Sequence, residues 1–370
     1  MEQRSGPFPS QGTMIPDHAT IPTFGHLRVL SAFIPKGGTG KSTFCQHVAT
    51  VLAALGRKVA VIDTDQQATA STNLLDLTMI PPSRKRSIAD VVLDGVPLIE
   101  AMYQAKPNLW VVPADKRVNE ASDAITWRLR EYTALEKQGT PVPAKPDIIA
   151  ERLAELQTTI SPPPLRQPPL LLPPLFQITS LKPAGRVAPD QILTRPDFLD
   201  YILFDHAPNP QSLGQLCLGC SDEIWVPVLP EPQPIEGLLQ MLDLVGKLFV
   251  HATHKPVVQG IIPSRVWHQV QVHNSLLYFL YGRFGAAVTR SIHQAAEIPS
   301  AQGEEPPQTA FEFARSSRAS KEWVEIALRI DGSSSMLTNS PECRTCKQIQ
   351  SEATKRAAEE RAAKTPHPAS

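Results

Sequence analysis

Three groups of residues have the types and spacing to do chemistry. The densest is Pro35-Lys36-Gly37-Gly38-Thr39-Gly40-Lys41-Ser42-Thr43, set between the apolar run Leu27 to Ile34 and the helix-like segment Phe44 to Leu55. Glycines let a backbone close around an anion with successive N–H groups aimed inward, and the helix that follows adds its positive end. In that setting Lys41 reaches the β/γ-phosphates of a nucleotide, the Ser42 hydroxyl ligates Mg²⁺, and Thr43 completes the loop. The second group is Asp63, Asp65 and Asp205, each at the end of an apolar run, Lys58 to Asp65 and Asp200 to Asp205. In an open parallel sheet, the carboxyl ends of the strands are where ligands sit. A buried aspartate without a partner is costly, so Asp205 at such an end favours a role at the ligand.

The third group is two C-x-x-C pairs, Cys217/Cys220 and Cys343/Cys346. Zinc sites use such pairs. Helical spacing in Ser212 to Cys220 puts both of its thiols on one buried face, while the second pair lies in a polar tail, so core or unpaired thiols are expected over a shared metal.

These residues need strands and helices to hold them. Leu27 to Ile34, Lys58 to Asp65, Asn108 to Pro113, Asp200 to Asp205, Ser221 to Val228 and Val257 to Ile262 read as buried strands, with a short one at Ala286 to Thr289. Between them, helical periodicity marks Phe44 to Leu55, Asn119 to Leu135, Ile235 to Phe249, Val270 to Phe284 and Ser320 to Ile330. Strands alternating with helices predict an α/β fold, a mostly parallel twisted sheet with helices on both faces.

A lysine at Lys36, in the pattern K-G-G-x-G-K-[ST], resembles the deviant Walker A box of the ParA/MinD family of P-loop ATPases. The resemblance continues. Asp63-Thr-Asp65-Gln-Gln-Ala68 is similar to the family's D-x-D-P-Q-[GA] switch segment, with Gln66 where proline is usual. Asp200-Tyr-Ile-Leu-Phe-Asp205-His-Ala-Pro208 is similar to its Walker B strand, with His206 and Ala207 replacing the usual residues. Ala296-Glu-Ile-Pro-Ser-Ala-Gln-Gly303 resembles S-E-A-P-S-x-G of the ParA branch, and Phe311 to Arg318 resembles the stretch that follows. It spans about 27–330, without 139–194.

The resemblance implies a Mg²⁺-dependent ATPase that forms a homodimer around ATP. Lys41 and Lys36 would stabilise phosphate charge, Lys36 across the dimer; Asp65 would orient the attacking water; Ser42, Asp63 and Asp205 would serve Mg²⁺ and its waters. The ParA branch implies non-specific, salt-sensitive DNA binding, with a ParB-like adaptor stimulating hydrolysis, in segregation of plasmid or chromosomal DNA. Candidate DNA contacts are Arg265, Arg283, Arg290, Arg315, Arg318 and Lys321. The alternative is positioning of a protein cargo without DNA.

Composition sets limits. Formal net charge is zero over 370 residues, so a nucleic-acid contact must be a local patch. Thirty-seven prolines are too many for one compact α/β domain, and twelve of them fall in 139–194. Residues 1–25 are expected to be a disordered leader, 26–332 the P-loop domain with a proline-rich insertion at 139–194, and 333–370 a polar flexible or helical tail. No apolar run is long enough to span a bilayer and the tail lacks an amphipathic apolar stripe, so a cytoplasmic protein with no membrane partner is expected, and the ParA resemblance implies that it is nucleoid-associated.

Overall fold

Runs of four to seven β-branched and aliphatic residues are too short for buried helices, and here they pair edge to edge. The computed structural model describes residues 27–138, 147–162, 181–209, 211–249, 254–332 and 344–364. Its strands are β1 (Arg28–Ala32), β2 (Val59–Asp63), β3 (Tyr103–Lys106), β4 (Leu109–Val112), β5 (Tyr201–Asp205), β6 (Glu223–Val228) and β7 (Val257–Pro263). They form one sheet in the order β3-β4-β2-β5-β1-β6-β7. Every neighbouring pair is parallel except β3 with β4. The expected α/β architecture stands. The antiparallel edge strand β3 was not foreseen, because Tyr103 to Lys106 carries no alternation that separates it from the preceding helical turns.

Because side chains alternate across a strand, Tyr201 and Leu203 enter the core under one face while Ile202 and Phe204 enter the other. The second of these cores lies under α3 (Ile88–Leu93), α4 (Val118–Lys137), α5 (Ile148–Thr159) and α6 (Ser212–Gly219). A separate cluster packs β6 and β7 against α7 (Pro232–Leu248) and α8 (Gln271–Phe284). The short helices α9 (Glu297–Gln302) and α10 (Ala310–Phe313) then lead to α11 (Arg318–Ile330), which closes the first core together with α1 (Lys41–Ala54) and α2 (Thr69–Leu74). Helices therefore cover both faces. On β7, a Cβ at Gly260 would come within 2.5 Å of the Trp225 ring, so only glycine lets the indole lie across that strand.

The predicted strand at Ala286 to Thr289 is corrected. Gly285–Ala287 form a 3₁₀ turn, and only an isolated bridge joins Val288 to Ile261. The proline-rich region is stitched to the domain at its described flanks. α5 starts on an Asp147 cap, buries Ile149 and Leu156, and is followed by Ser161, whose N–H donates to Asp197 O at 2.7 Å. Further on, Ile192 O accepts from Gln104 N–H and Thr194 O from the Trp110 indole N–H. Residues 163–180 and the leader lie outside the described residues. Arg344–Lys364 of the tail form helix α12, which sets Ala353 against Gly282 of α8.

A buried polar network ties together the amino ends of the central strands, opposite the glycine loop. The Arg28 guanidinium bonds Glu223, the Tyr201 hydroxyl at 3.2 Å and Ile330 O at 2.6 Å. Tyr201 donates to Asp331, which also receives both arms of Arg57 at 2.9 Å. The Trp225 indole N–H takes the other Glu223 oxygen. Removing one charge strands the other in the interior, which costs about 3–5 kcal/mol. Glu223→Ala is therefore expected to lower unfolding stability by that amount in urea titrations, and Arg28→Met with Glu223→Leu to recover much of it.

Candidate nucleotide and magnesium site

The loop between β1 and α1 is shaped by its glycines. Gly38 (φ 73°) and Gly40 (φ 99°) adopt left-handed backbone that side-chain-bearing residues avoid. Lys41 is buried at the first turn of α1, and its ammonium donates to two carbonyls of its own loop, Lys36 O at 2.8 Å and Ile34 O at 3.3 Å. Burial pushes its pKa down, and the charges of Asp205 and Asp65 pull it back. An ammonium satisfied only by loop carbonyls, inside a nest of glycine N–H groups, is ready to exchange those carbonyls for phosphate oxygens.

The three aspartates converge at one end of the sheet. The β2–β5 register sets Asp63 directly beside Asp205. Thr64 locks the two strand ends, since both its N–H (2.9 Å) and its hydroxyl (2.8 Å) donate to Asp205 O. Asp63 is spoken for: it accepts from Asp65 N–H at 3.0 Å, Ser71 N–H at 2.9 Å and the Ser71 hydroxyl at 2.7 Å. The Ser71 oxygen in turn accepts Ala114 N–H at 3.0 Å. Asp63 thus organises the loop bearing Asp65 and fixes it to the end of β4. Asp65 is half-exposed and accepts Gln67 N–H at 3.0 Å on one carboxylate oxygen.

Asp205 differs. It is fully buried, and neither carboxylate oxygen has a hydrogen-bond partner. The Ser42 hydroxyl lies near enough to lower its pKa slightly without a bond of normal geometry. Burial first, then the charge of Asp63, push the Asp205 pKa well above the carboxylate range, and burial lifts Asp63 to about 6. Two carboxylates of this kind beside a serine hydroxyl fit a hard divalent cation that keeps most of its waters. No cluster of three or more His, Cys, Asp or Glu ligands occurs among the described residues, so a cation held here would take its remaining ligands from water or a bound anion.

Other sequence-predicted residues divide. Gln66, where the family pattern has proline, is held at 2.5 Å by the Asn119 amide at the start of α4. Ala68 in the same loop takes left-handed backbone (φ 52°). Lys36, expected to act across the dimer, has a partner within its own chain: its ammonium donates to Gln233 at the start of α7, at 3.0 Å. His206 is buried against Ser31 rather than facing the loop, and burial lowers its pKa to about 3. That removes it as a proton carrier at neutral pH. Cys217 and Cys220 are free thiols, Cys217 buried and Cys220 half-buried, both pushed up by burial, Cys220 to about 12. Cys343 lies outside the described residues.

The six basic candidates do not form one patch. Arg265 (φ 54°) lies past the carboxyl end of β7, and Arg315, Arg318 and Lys321 lie around the start of α11. Arg283 sits in the last turn of α8, which runs back to the opposite edge of the sheet, and its guanidinium lies over Phe284. Arg290 is clamped by both oxygens of Glu325, and Arg318 bonds Glu322 at 2.8 Å.

Two features of the site were missed. His47 on α1 is buried against Trp323, with Nδ1 on Thr43 O at 2.9 Å and Nε2 accepting Ala310 N–H at 3.0 Å. Nε2 can accept only when the hydrogen is on Nδ1, so the ring is neutral, and burial lowers its pKa to about 4. A pocket of about 290 Å³ opens beside Gly40 and Thr43, walled by Arg265, His293, Gln294 and Pro299. The only signal for it in the sequence was the Ala296 to Gly303 motif.

Comparison with known proteins follows this geometry. Residues 30–307 match the CobQ/CobB/MinD/ParA nucleotide binding domain. Over 90 residues the chain is 38% identical to a chromosome partitioning protein ParA from Caulobacter vibrioides, covering 24% of this chain and 33% of that relative. The match thus spans about a third of that relative's length. It is 22% identical over 230 residues to the maintenance of carboxysome distribution protein A of Synechococcus elongatus, covering 62% of this chain and 69% of the relative. Its fold is similar to the ATP complex of a Cyanothece McdA variant, with a TM-score of 0.60 and 16% identity over 83% of this chain and 97% of the other.

Because Asp63 and Asp205 titrate higher in the fold than in the unfolded chain, the fold holds protons that the unfolded chain has released. Their contribution to nucleotide-free stability is therefore lost as pH rises from about 4 through about 6 and beyond. Asp205→Asn is expected to raise nucleotide-free stability at pH 7.5 by about 1–3 kcal/mol and to weaken that pH dependence, both read by thermal unfolding. A lower midpoint would show that the Asp205 charge is already neutralised within the chain. The family match across three quarters of the sequence and the loop, switch and strand-end residues agree: the chain belongs to the CobQ/CobB/MinD/ParA nucleotide-binding family.

Proposed function

We propose that this chain hydrolyses ATP with Mg²⁺ and uses the cycle as a dimer-to-monomer switch that segregates DNA or positions a protein cargo. The observation that carries the reading is the unpartnered buried carboxylate of Asp205 beside Lys41 and Ser42. Such an arrangement is unfavourable alone and gains its partners only with a cationic, phosphate-bearing ligand.

Bound Mg²⁺ supplies charge neutralisation on the phosphate oxygens. The chain's own residues do the rest. The Gly37 to Thr43 loop orients the phosphates through its N–H groups, and Lys41 leaves the Lys36 and Ile34 carbonyls to meet them. Ser42 and Asp205 hold the cation's shell. Asp63 fixes the backbone of Asp65, whose carboxylate orients the attacking water. Lys36 leaves Gln233 to reach the nucleotide of a second copy, where its charge stabilises the transferring phosphoryl group.

DNA segregation with a ParB-like adaptor is the first reading of what the switch moves. Arg265, Arg315 and Lys321 remain its contact candidates near the nucleotide end. Protein-cargo positioning has support of its own. Arg290 and Arg318 are engaged by Glu325 and Glu322, which leaves less basic surface for DNA. The likeness to the carboxysome distribution protein points the same way.

Two measurements test this. Lys41→Ala is expected to lose ATP binding by equilibrium titration, and Asp65→Ala to bind ATP but remain a dimer in sizing experiments; wild-type binding by Lys41→Ala overturns the site. A DNA shift assay with and without ATP at two salt concentrations separates the readings. ATP-dependent, salt-sensitive shifts support segregation, and none at low salt favours protein cargo.

A further inference from the structure

The β3 edge of the sheet carries a cluster of cations that the nucleotide site does not use. The loop before α3 turns through a short 3₁₀ segment, Pro82–Arg84, and holds Arg84, Lys85 and Arg86 in succession. One buried phenol sets this loop. The Tyr103 hydroxyl, on β3, donates to Arg84 O at 2.6 Å and accepts Arg86 N–H at 2.6 Å. The Arg195 guanidinium, just past the proline-rich stretch, lies 5.7 Å from the centre of the same ring and donates to Glu100 O at 3.0 Å. Four cations from two segments far apart in the chain are thus gathered around Tyr103.

Their counter-charges are few. Arg84 and Lys85 are exposed, and neither side chain bonds a carboxylate among the described residues. The Arg86 guanidinium donates to the Lys85 carbonyl at 2.9 Å. Burial holds Arg195 below its ordinary pKa; Tyr103 and Glu100 offset this, and the Arg84 charge adds to it. Asp90 also acts on Tyr103, but it is already taken by Ser87 and Arg117. Water screens such a surplus without neutralising it, whereas a polyanion neutralises it and sheds its own counterions. We propose that Arg84, Lys85, Arg86 and Arg195 form a binding face for the phosphodiester backbone of duplex DNA, without reading its sequence.

The surroundings select this partner over an acidic protein. Protein interfaces are centred on aromatic or aliphatic anchors. None of the large apolar side chains exposed among the described residues lies in the loop 81–87 or in the segment 181–199. Phosphate contacts need only cations and N–H donors, and arginine suits them best. The chain as a whole carries no net charge, so a local surplus is the form in which it can meet DNA. The face also lies at the nucleotide end of the sheet: Tyr103 pairs with Val111, and Val111 with Val61, two residues before Asp63. The choice of DNA rests on the DNA-segregation reading of the switch.

The test is fluorescence anisotropy of a short random-sequence duplex titrated with the full chain, with and without ATP, between about 50 and 200 mM salt. Arg84→Gln with Lys85→Gln is expected to bind about tenfold more weakly at the lower salt and to flatten the slope of log affinity against log salt by about two. Arg195→Gln alone is expected to flatten it by about one. Both variants are expected to keep the thermal unfolding midpoint of the unchanged chain. Lys247→Gln with Lys355→Gln removes the same charge from α7 and α12, and is expected to leave binding unaltered. Unaltered slope and affinity in the Arg84/Lys85 and Arg195 variants overturn the face and leave DNA segregation to another surface. Equal weakening by the Lys247/Lys355 variant overturns it too, since net charge alone then explains binding. Polyglutamate that displaces the duplex as well as unlabelled duplex does, at equal charge, overturns the choice of DNA in favour of an acidic protein. Absence of binding by the unchanged chain at the lower salt overturns the segregation reading and the face together.

Discussion

Two acidic side chains on adjacent parallel strands, in register, neither bonded to a cation among the described residues, are the constraint around which this molecule is arranged. Asp63 and Asp205 are both fully buried, and Lys41 is the cation near them. The fold meets half of the difficulty internally, by giving Asp63 three donors from Asp65 and Ser71. It leaves the other half open at Asp205. A sheet that places unsolved electrostatics at its centre has to be held firmly elsewhere, and the Arg28–Glu223–Tyr201–Asp331–Arg57 network does that at the far ends of the same strands.

The division between Asp63 and Asp205 separates two functions that look alike in sequence. Both are strand-end aspartates. One shapes the switch loop through Ser71 and, beyond it, Ala114 at the end of β4; the other has no hydrogen-bond partner among the described residues. A change at the phosphates that reaches Asp65 is thereby connected to β4 and, through Gln66 and Asn119, to α4. The switch segment has a mechanical route out of the site even though its usual proline is absent.

The strands, the glycine loop and the three aspartates were legible because each is dictated locally: apolar runs bounded by turns, glycines where φ must be positive, and charge only where a ligand can meet it. What escaped had distant causes. β3 is a strand because β4 offers it an edge, not because Tyr103 to Lys106 declares one. Gln233 and Lys36 are 197 positions apart, as Ala310 and His47 are 263 apart. The basic candidates divide by their partners. Arg290 is held by Glu325, 35 positions away, whereas Arg318 is held by Glu322 one turn along its own helix.

The anchoring of Ser161 to Asp197, and of Ile192 and Thr194 to Gln104 and Trp110, has a mechanical consequence. Gln104 and Trp110 belong to β3 and β4, the pair at one edge of the sheet. A load on Ile192 or Thr194 therefore meets that edge first, and reaches the strand ends bearing Asp63 and Asp205 only through β2.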